Sequence, residues 1–439
     1  MSESVPDDQV PPGSRKALWT ILFIVFMDLL GFGIILPQLP FYALRYHVSA
    51  VVVGLLFSIY SLCQFLAAPI LGMFSDKFGR KPVLVFSQGG SAIGYGLLGL
   101  VTQLNMPNAA MALALIFLAR IIDGISGGNI STAQAYISDV TTPKTRAKGM
   151  GMLGAAFGVG FAVGPTLGLL VGRHVTHPSW PAYLAAAFSC LAMILSALLL
   201  KESNSHRPVN EEAWLHPSRF RPILRKPVLA QLIFSSFVAM TAFTMLEGTI
   251  ALYLAYKFRD GPHHDNPYGP WELSWYFAYI GLFIMYGQGR LMGQLVKRTN
   301  EWTVSITGAV LVTIGMCLYI CTNWMPVLAL LLFAGAVNAI GRSLQQPPIA
   351  ALISRYSNRA EQGTVFGLYQ GLGSLARSLG PVIAGIVFKY VYPTAQFALA
   401  GVLSAFVAAW MYRLSKTQPA PLDADAAPEQ EPVAAVEAI

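Results

Sequence analysis

The sequence predicts an all-α membrane protein: twelve transmembrane helices in two pseudo-symmetric six-helix bundles. Three observations carry that prediction. Of 439 residues, 55% are hydrophobic and 11% charged, against about 25% charged in soluble proteins, and mean hydropathy is +0.55. The charges gather between apolar runs of about twenty residues, the length that crosses a hydrocarbon core. Finally, landmarks of the first half return in the second. Gly164-Pro165 reappears as Gly380-Pro381 and Gly151 as Gly367, both at offset 216; Gly72 matches Gly293 at offset 221, and Asp28 matches Glu247 at offset 219.

The elements follow in order. A polar segment, 1–16, precedes the first span, 17–44; it shows no small-residue cleavage site, so the first helix is retained. Spans 50–72 and 83–103 flank a charged turn of roughly ten residues, Gly72-x3-Asp76-Lys77-x-Gly79-Arg80-Lys81. Spans 109–137, 147–172 and 181–200 complete a first bundle, 17–200. A polar, proline-containing loop, 201–226, separates it from a second bundle, 227–413. That bundle reads as spans 227–256, 272–295, 303–322, 325–348, 362–390 and 394–413. The tail, 414–439, is rich in Ala, Pro and acid and is expected to be disordered. Two homologous halves place a substrate site at their interface, near the bilayer midplane.

The formal charge of +8 is topological. With the first helix entering from the cytoplasm, 20 of 29 Lys and Arg fall on the cytoplasmic side, five on the outer side and four inside apolar runs. This asymmetry predicts a multi-pass protein of the cell (inner) membrane with both termini cytoplasmic, and no nucleic-acid partner. The four cysteines lie within apolar runs, so no structural disulfide is expected. Neither H-E-x-x-H nor G-x-x-x-x-G-K-[ST] occurs, and the adjacent His263 and His264 sit on a polar loop. No metal, no cofactor and no enzymatic activity are expected, and the energy source is an ion or substrate gradient.

Charged residues inside apolar runs carry the chemistry. Asp28 lies eleven residues past Ala17, about 17 Å into the membrane. A carboxylate there must be paired, hydrated or protonated; it is either a proton carrier or a hydrogen-bonded structural acid. Arg120 and Asp123 share a helix face, so Asp123 is either functional or one end of a self-contained ion pair. Glu247 is the third intramembrane acid. Gly160-x3-Gly164-Pro165-x2-Gly168 gives one helix a small-residue face that allows close approach in lipid. Gln64, Asn129, Gln134, Asn338, Arg342, Gln345, Gln370 and Arg377 are candidates to line a cavity.

These motifs resemble those of the major facilitator superfamily. Gly72-x3-Asp76-x2-Gly79-Arg80-Lys81 is similar to its loop signature between spans two and three. Arg120-x2-Asp123-Gly124 resembles its span-four motif, with Asp123 where many members have Gln. The Gly160 to Gly168 run resembles the antiporter motif of drug/proton exporters, and Leu30-Gly31-x5-Pro37-x2-Pro40 the span-one signature of the twelve-helix exporters. The runs Asp28 to Ala43 and Arg120 to Gly172 look most like the tetracycline-resistance branch. The resemblance implies a monomeric, proton-coupled exporter of amphipathic small molecules working by alternating access. Proton coupling would fall to Asp28, Arg120, Asp123 and Glu247, with Arg120 the electrostatic partner of Asp28. Gating would fall to Gly72, Asp76, Gly79, Arg80 and Lys81, with Asp76 facing Gln362 and Gly363. Span nine carries no acid and span eight no histidine, unlike tetracycline antiporters, and residue 297 is Lys where the repeated loop motif would have Asp. A proton symporter or facilitator for a sugar or organic anion, using Arg342 or Arg377, is the alternative.

Overall fold

The computed structural model describes residues 14–104, 106–141, 149, 152–153, 156, 158–160, 163–168, 170–171, 177–203, 217–257, 270–357 and 362–417. Ten helices among them are long and apolar enough to cross a membrane, and the described residues contain no strand. The chain is a multi-pass helical membrane protein. Of the expected spans, the fifth falls partly outside the described residues. The eighth is α-helical for 17 residues before it changes pitch. The expected loops at 204–216 and 258–269, the tail from 418 and most of 1–16 also lie outside the described residues.

Helix α1 (Ser14–Ile35) ends two residues before Pro37, and a short α2 (Leu39–Leu44) resumes with Pro40 in its first turn, where a missing amide is harmless. The expected single span 17–44 is therefore two pieces. Helices α3 (Ala50–Phe78) and α4 (Arg80–Leu104) meet at Gly79 alone. The roughly ten-residue turn expected there is a correction: its charged residues are helical, because Asp76 and Arg80 neutralise each other across the junction. Gly79 has φ +101°, a conformation natural only to glycine.

Asn108 caps α5 (Ala109–Ser126) by accepting from Met111 N at 3.1 Å. A 3-10 turn, Gly127–Asn129, then shifts the register before α6 (Ile130–Asp139). Helix α7 (Trp180–Leu199) follows, then the short α8 (Pro217–Leu224) and the long α9 (Pro227–Lys257). Helix α10 (Pro270–Tyr286) passes through a π segment, Gly287–Leu291, into α11 (Met292–Arg298). Helices α12 (Glu301–Cys321), α13 (Leu328–Arg355), α14 (Gln362–Tyr390) and α15 (Ala395–Thr417) complete the chain.

Helices α1, α3, α4, α5 and α7 pack on one another, as do α9, α10 and α12 to α15. The two sets meet along α3 and α14, whose small residues let the backbones touch. Gly54 abuts the Pro381 carbonyl, and a Cβ on Gly385 would lie 2.7 Å from the Ala50 carbonyl. Both contacts lie towards the end of the bundle away from Gly79. There Gln38 also donates to Ser274 Oγ at 3.2 Å, and Phe41 packs into the apolar core of the second set. At the Gly79 end the apolar clusters draw on one set or the other, not both.

Candidate functional site

The 3-10 turn is the local device that builds the first part of the site. A Cβ on Gly128 would lie 2.9 Å from Ala68 N, and one on Gly124 would lie 2.9 Å from Cys63 Cβ. Only glycines let this chain pass so close to α3. Gln64, buried on α3, fixes the turn by donating to Gly127 O at 2.9 Å. The turn in turn aims the buried Asn129, whose Nδ2 donates to Asp28 Oδ2 at 3.2 Å. Asp28 itself is half-buried on α1.

About two and a half turns back from Asn129, on α5, Arg120 Nη1 donates to Asp123 Oδ2 at 2.7 Å, both side chains almost fully buried. The guanidinium lies 4.3 Å from the centroid of the Tyr60 ring, and its Nε has no partner among the described residues. Arg120 thus pairs with Asp123, whereas the resemblance implied Asp28; the donor at Asp28 is the neutral Asn129. Breaking a buried pair of this kind by removing one partner costs about 3–5 kcal/mol, so the pair also holds α5 together.

The glycine-rich segment packs on α1, the helix that bears Asp28. A Cβ on Gly164 would lie 2.7 Å from Gly33 Cα, and one on Gly160 would lie 2.9 Å from Leu29 Cβ. Pro165 is buried in the same contact, and Gly168 meets Ile34 at an ordinary 3.4 Å. Gly151 and Gly154 lie outside the described residues. Gly158 reaches the other set, where a Cβ would stand 3.1 Å from Gln288 Oε1 in the π segment; such segments often mark functional sites.

In the second set, Glu247 is half-buried on α9, makes no hydrogen bond among the described residues and lines a cavity of about 50 Å³ between α9, α10, α12 and α13. Asn338 lines the same cavity with its Nδ2 unpartnered. Arg342 stacks over Phe243 at 4.3 Å; one nitrogen donates to Met240 Sδ at 3.0 Å and Nη1 has no partner. Gln345 is buried with a free Nε2. Arg377 bridges the sets, donating to Ser374 Oγ at 2.7 Å and to Gln64 Oε1 at 3.4 Å. Gln134 is half-buried on α6 and Gln370 is exposed on α14; the structure does not bring either to these clusters.

At the Gly79 junction, Arg80 is buried and triply engaged, with Asp76 at 2.5 Å, Ser75 Oγ at 2.6 Å and Asp139 at 3.2 Å. Lys81 is half-buried and donates its backbone N–H to Glu202 at 3.1 Å, while Arg80 N donates to the same carboxylate at 2.8 Å. Glu202 therefore caps α4, where the helix dipole favours an anion. Gly72 faces open space. Gln362 and Gly363, expected opposite Asp76, open α14, and their burial lies outside what is described. Glu202 and Asp139 were not singled out from sequence. The available signal was an acid at each end of the basic loops.

The family model of the Major Facilitator Superfamily matches residues 21–325 and 291–438. The chain belongs to the major facilitator superfamily. Among superfamily members, it is 30% identical over 385 residues to the tetracycline resistance protein, class C, of Escherichia coli, covering 85% of this chain and 90% of that one. It is 28% identical over 383 residues to multidrug resistance protein 1 of Bacillus subtilis (strain 168), covering 84% and 88%. The crystal structure of the human organic anion transporter MFSD10 (TETRAN) superposes with a TM-score of 0.68 at 22% identity, covering 91% of this chain and all of that one. The superfamily fold and its transporter class, implied by the motifs, are thereby established.

Proposed function

We propose that the chain is a proton-coupled exporter of amphipathic small molecules that works by alternating access. Twelve membrane-crossing helices form two six-helix bundles, 17–200 and 227–413, joined by the loop 201–226. Both termini lie in the cytoplasm of a cell whose inner membrane holds the protein as a monomer. The observation that carries the reading is the placement of Asp28. Its carboxylate sits mid-helix on α1, held by a neutral Asn129, while backbone-close glycines Gly160 and Gly164 pack on the next turns of the same helix. A carboxylate without a cation partner at this depth exchanges protons more readily than one locked in an ion pair, and a helix seated on glycines is free to shift when it does.

Asp28 is the coupling acid in this scheme. Arg120 and Asp123 form a fixed charge pair beside it, and Glu247 is the acid of the second bundle. Arg80 and Asp76 at the α3–α4 junction bias the cytoplasmic gate. The similarity to tetracycline and multidrug resistance proteins supports export of such substrates.

The test is transport of tetracycline and of a rhodamine dye into proteoliposomes under imposed pH gradients. Exchange for protons predicts uptake when the lumen is acidic. Uptake driven by an acidic exterior would instead support the symport of an organic anion, the reading that the unpartnered Nη1 of Arg342 favours. Uptake indifferent to either gradient would remove proton coupling altogether.

A further inference from the structure

The acid and the base of the second bundle lie within electrostatic reach of each other, and Glu247 also of Arg377, yet no salt bridge joins Glu247 to either arginine. Phe243 and Glu247 are one turn apart on α9, so their side chains share a face. Arg342 stacks on the Phe243 ring, which sets its guanidinium beside the wall that carries Glu247. The two form no ion pair, although they have opposite charge and few competing partners. Arg342 spends one nitrogen on a thioether and leaves Nη1 unused; Glu247 has no donor among the described residues. Between and beside them the surface is aromatic: Phe243, Tyr276, Phe277 and Tyr319 line the cavity. The two tyrosine hydroxyls are hydrogen-bonded to each other, so they offer little to a ligand. Polar recognition falls to Glu247, Arg342 and the free amide of Asn338.

Charges that lack hydrogen-bonded partners are costly at this depth, and burying a polar group without a partner is unfavourable. A chain that keeps two of opposite sign apart, on an aromatic wall, is complementary to a molecule that brings both missing partners. We propose that this wall binds dipolar substrates: flat, aromatic zwitterions with an anionic group for Arg342 and a cationic group for Glu247. The inference rests on the exporter reading for its physiological meaning and names the substrate class that such an exporter would take. A purely cationic ligand would leave Arg342 unanswered, and a purely anionic one would leave Glu247 so. The cavity of about 50 Å³ has room for a small substituent, and the rest of the molecule would lie along the aromatic face.

Equilibrium binding to the purified full-length protein, without any gradient, tests this separately from transport. The probes are tetramethylrhodamine, which carries a carboxylate and a delocalised cation, its methyl ester, which keeps only the cation, and fluorescein, which is anionic. Wild-type protein should bind the zwitterion about tenfold or more tighter than either analogue, the scale of one charge-assisted hydrogen bond. In Arg342→Gln the preference for acid over ester should vanish while affinity for the ester persists. In Glu247→Gln the preference over fluorescein should vanish while affinity for fluorescein persists. The retained affinities show that each variant is folded. Equal binding of acid and ester by the wild type, or variants that weaken all three dyes alike, would overturn the proposal. Loss of proton-driven transport with the binding pattern intact would count against the exporter reading and leave the dipolar site standing.

Discussion

Asp28 and Asn129 show how one side chain sets the chemistry of another. The amide donates a neutral hydrogen bond at 3.2 Å, which stabilises the carboxylate without fixing it in a charge pair. Asp28→Asn keeps shape and hydrogen bonding but cannot titrate. It should abolish uphill, proton-driven transport in proteoliposomes while leaving expression, folding and downhill substrate exchange in place; wild-type accumulation by this variant would remove Asp28 from coupling. Gly79 tests a different residue-level requirement. Its φ of +101° and the Glu202 Cδ that stands 2.7 Å from a would-be Cβ both exclude a side chain. Gly79→Ala should lower unfolding stability by about 1–3 kcal/mol, read as a fall in Tm in detergent. Glu202→Gln, which keeps the cap's shape but removes its charge, should cost less, about 0.3–1 kcal/mol for an anion at a helix N-terminus. A larger loss for Glu202→Gln than for Gly79→Ala would mean that charge, not backbone geometry, holds the junction.

At the scale of elements, the glycine-rich segment is graded by what each glycine touches. A Cβ at 164 meets backbone at 2.7 Å, one at 160 meets a side chain at 2.9 Å, and one at 168 has ordinary clearance at 3.4 Å. Alanine at these positions should therefore damage transport and Tm in the order 164, 160, 168. Overpacking at the first should cost about 1–3 kcal/mol, and the last should be near neutral. An equal effect at all three would point to helix bending, with contact playing no part. These glycines were legible in the sequence as a small-residue face, yet their partner was not, because spacing along one helix does not say which neighbour it meets. The same limit governs the α3–α4 junction. Its charges were legible, but the Glu202 cap joins residues more than a hundred positions apart. The 3-10 turn at Gly127–Asn129 was hidden for a related reason: two glycines in an apolar run signal weakness, and only α3 pressing on them, Tyr60 on Gly127 and Ala68 on Gly128, decides where the helix yields.

For the whole molecule, the apolar runs and the charged loops between them made the membrane class plain, whereas the packing of the two helix sets against each other was not encoded in any local pattern. That packing has a consequence for alternating access. The α3–α14 contact closes one end of the bundle through Gly54 against Pro381 and Gly385 against Ala50, and Ser58 donates to the Ser378 carbonyl in the same seam. Such backbone-close contact has no slack, so a bulky side chain there acts on the equilibrium between conformers instead of on the substrate. States of a transporter differ by a few kcal/mol, comparable to the cost of overpacking. Gly385→Leu should therefore prevent this end from closing and shift the population towards the state open at it. Spin labels at Ala110→Cys and Trp324→Cys, both exposed at that end, would report two distance populations in the parent protein and mainly the longer one in the variant. Transport should fall severalfold or more, with dye affinity at the Glu247–Arg342 wall changed by less than about threefold, since the wedge removes no polar contact. An unchanged distance distribution with normal transport would show that the α3–α14 seam does not gate the cycle.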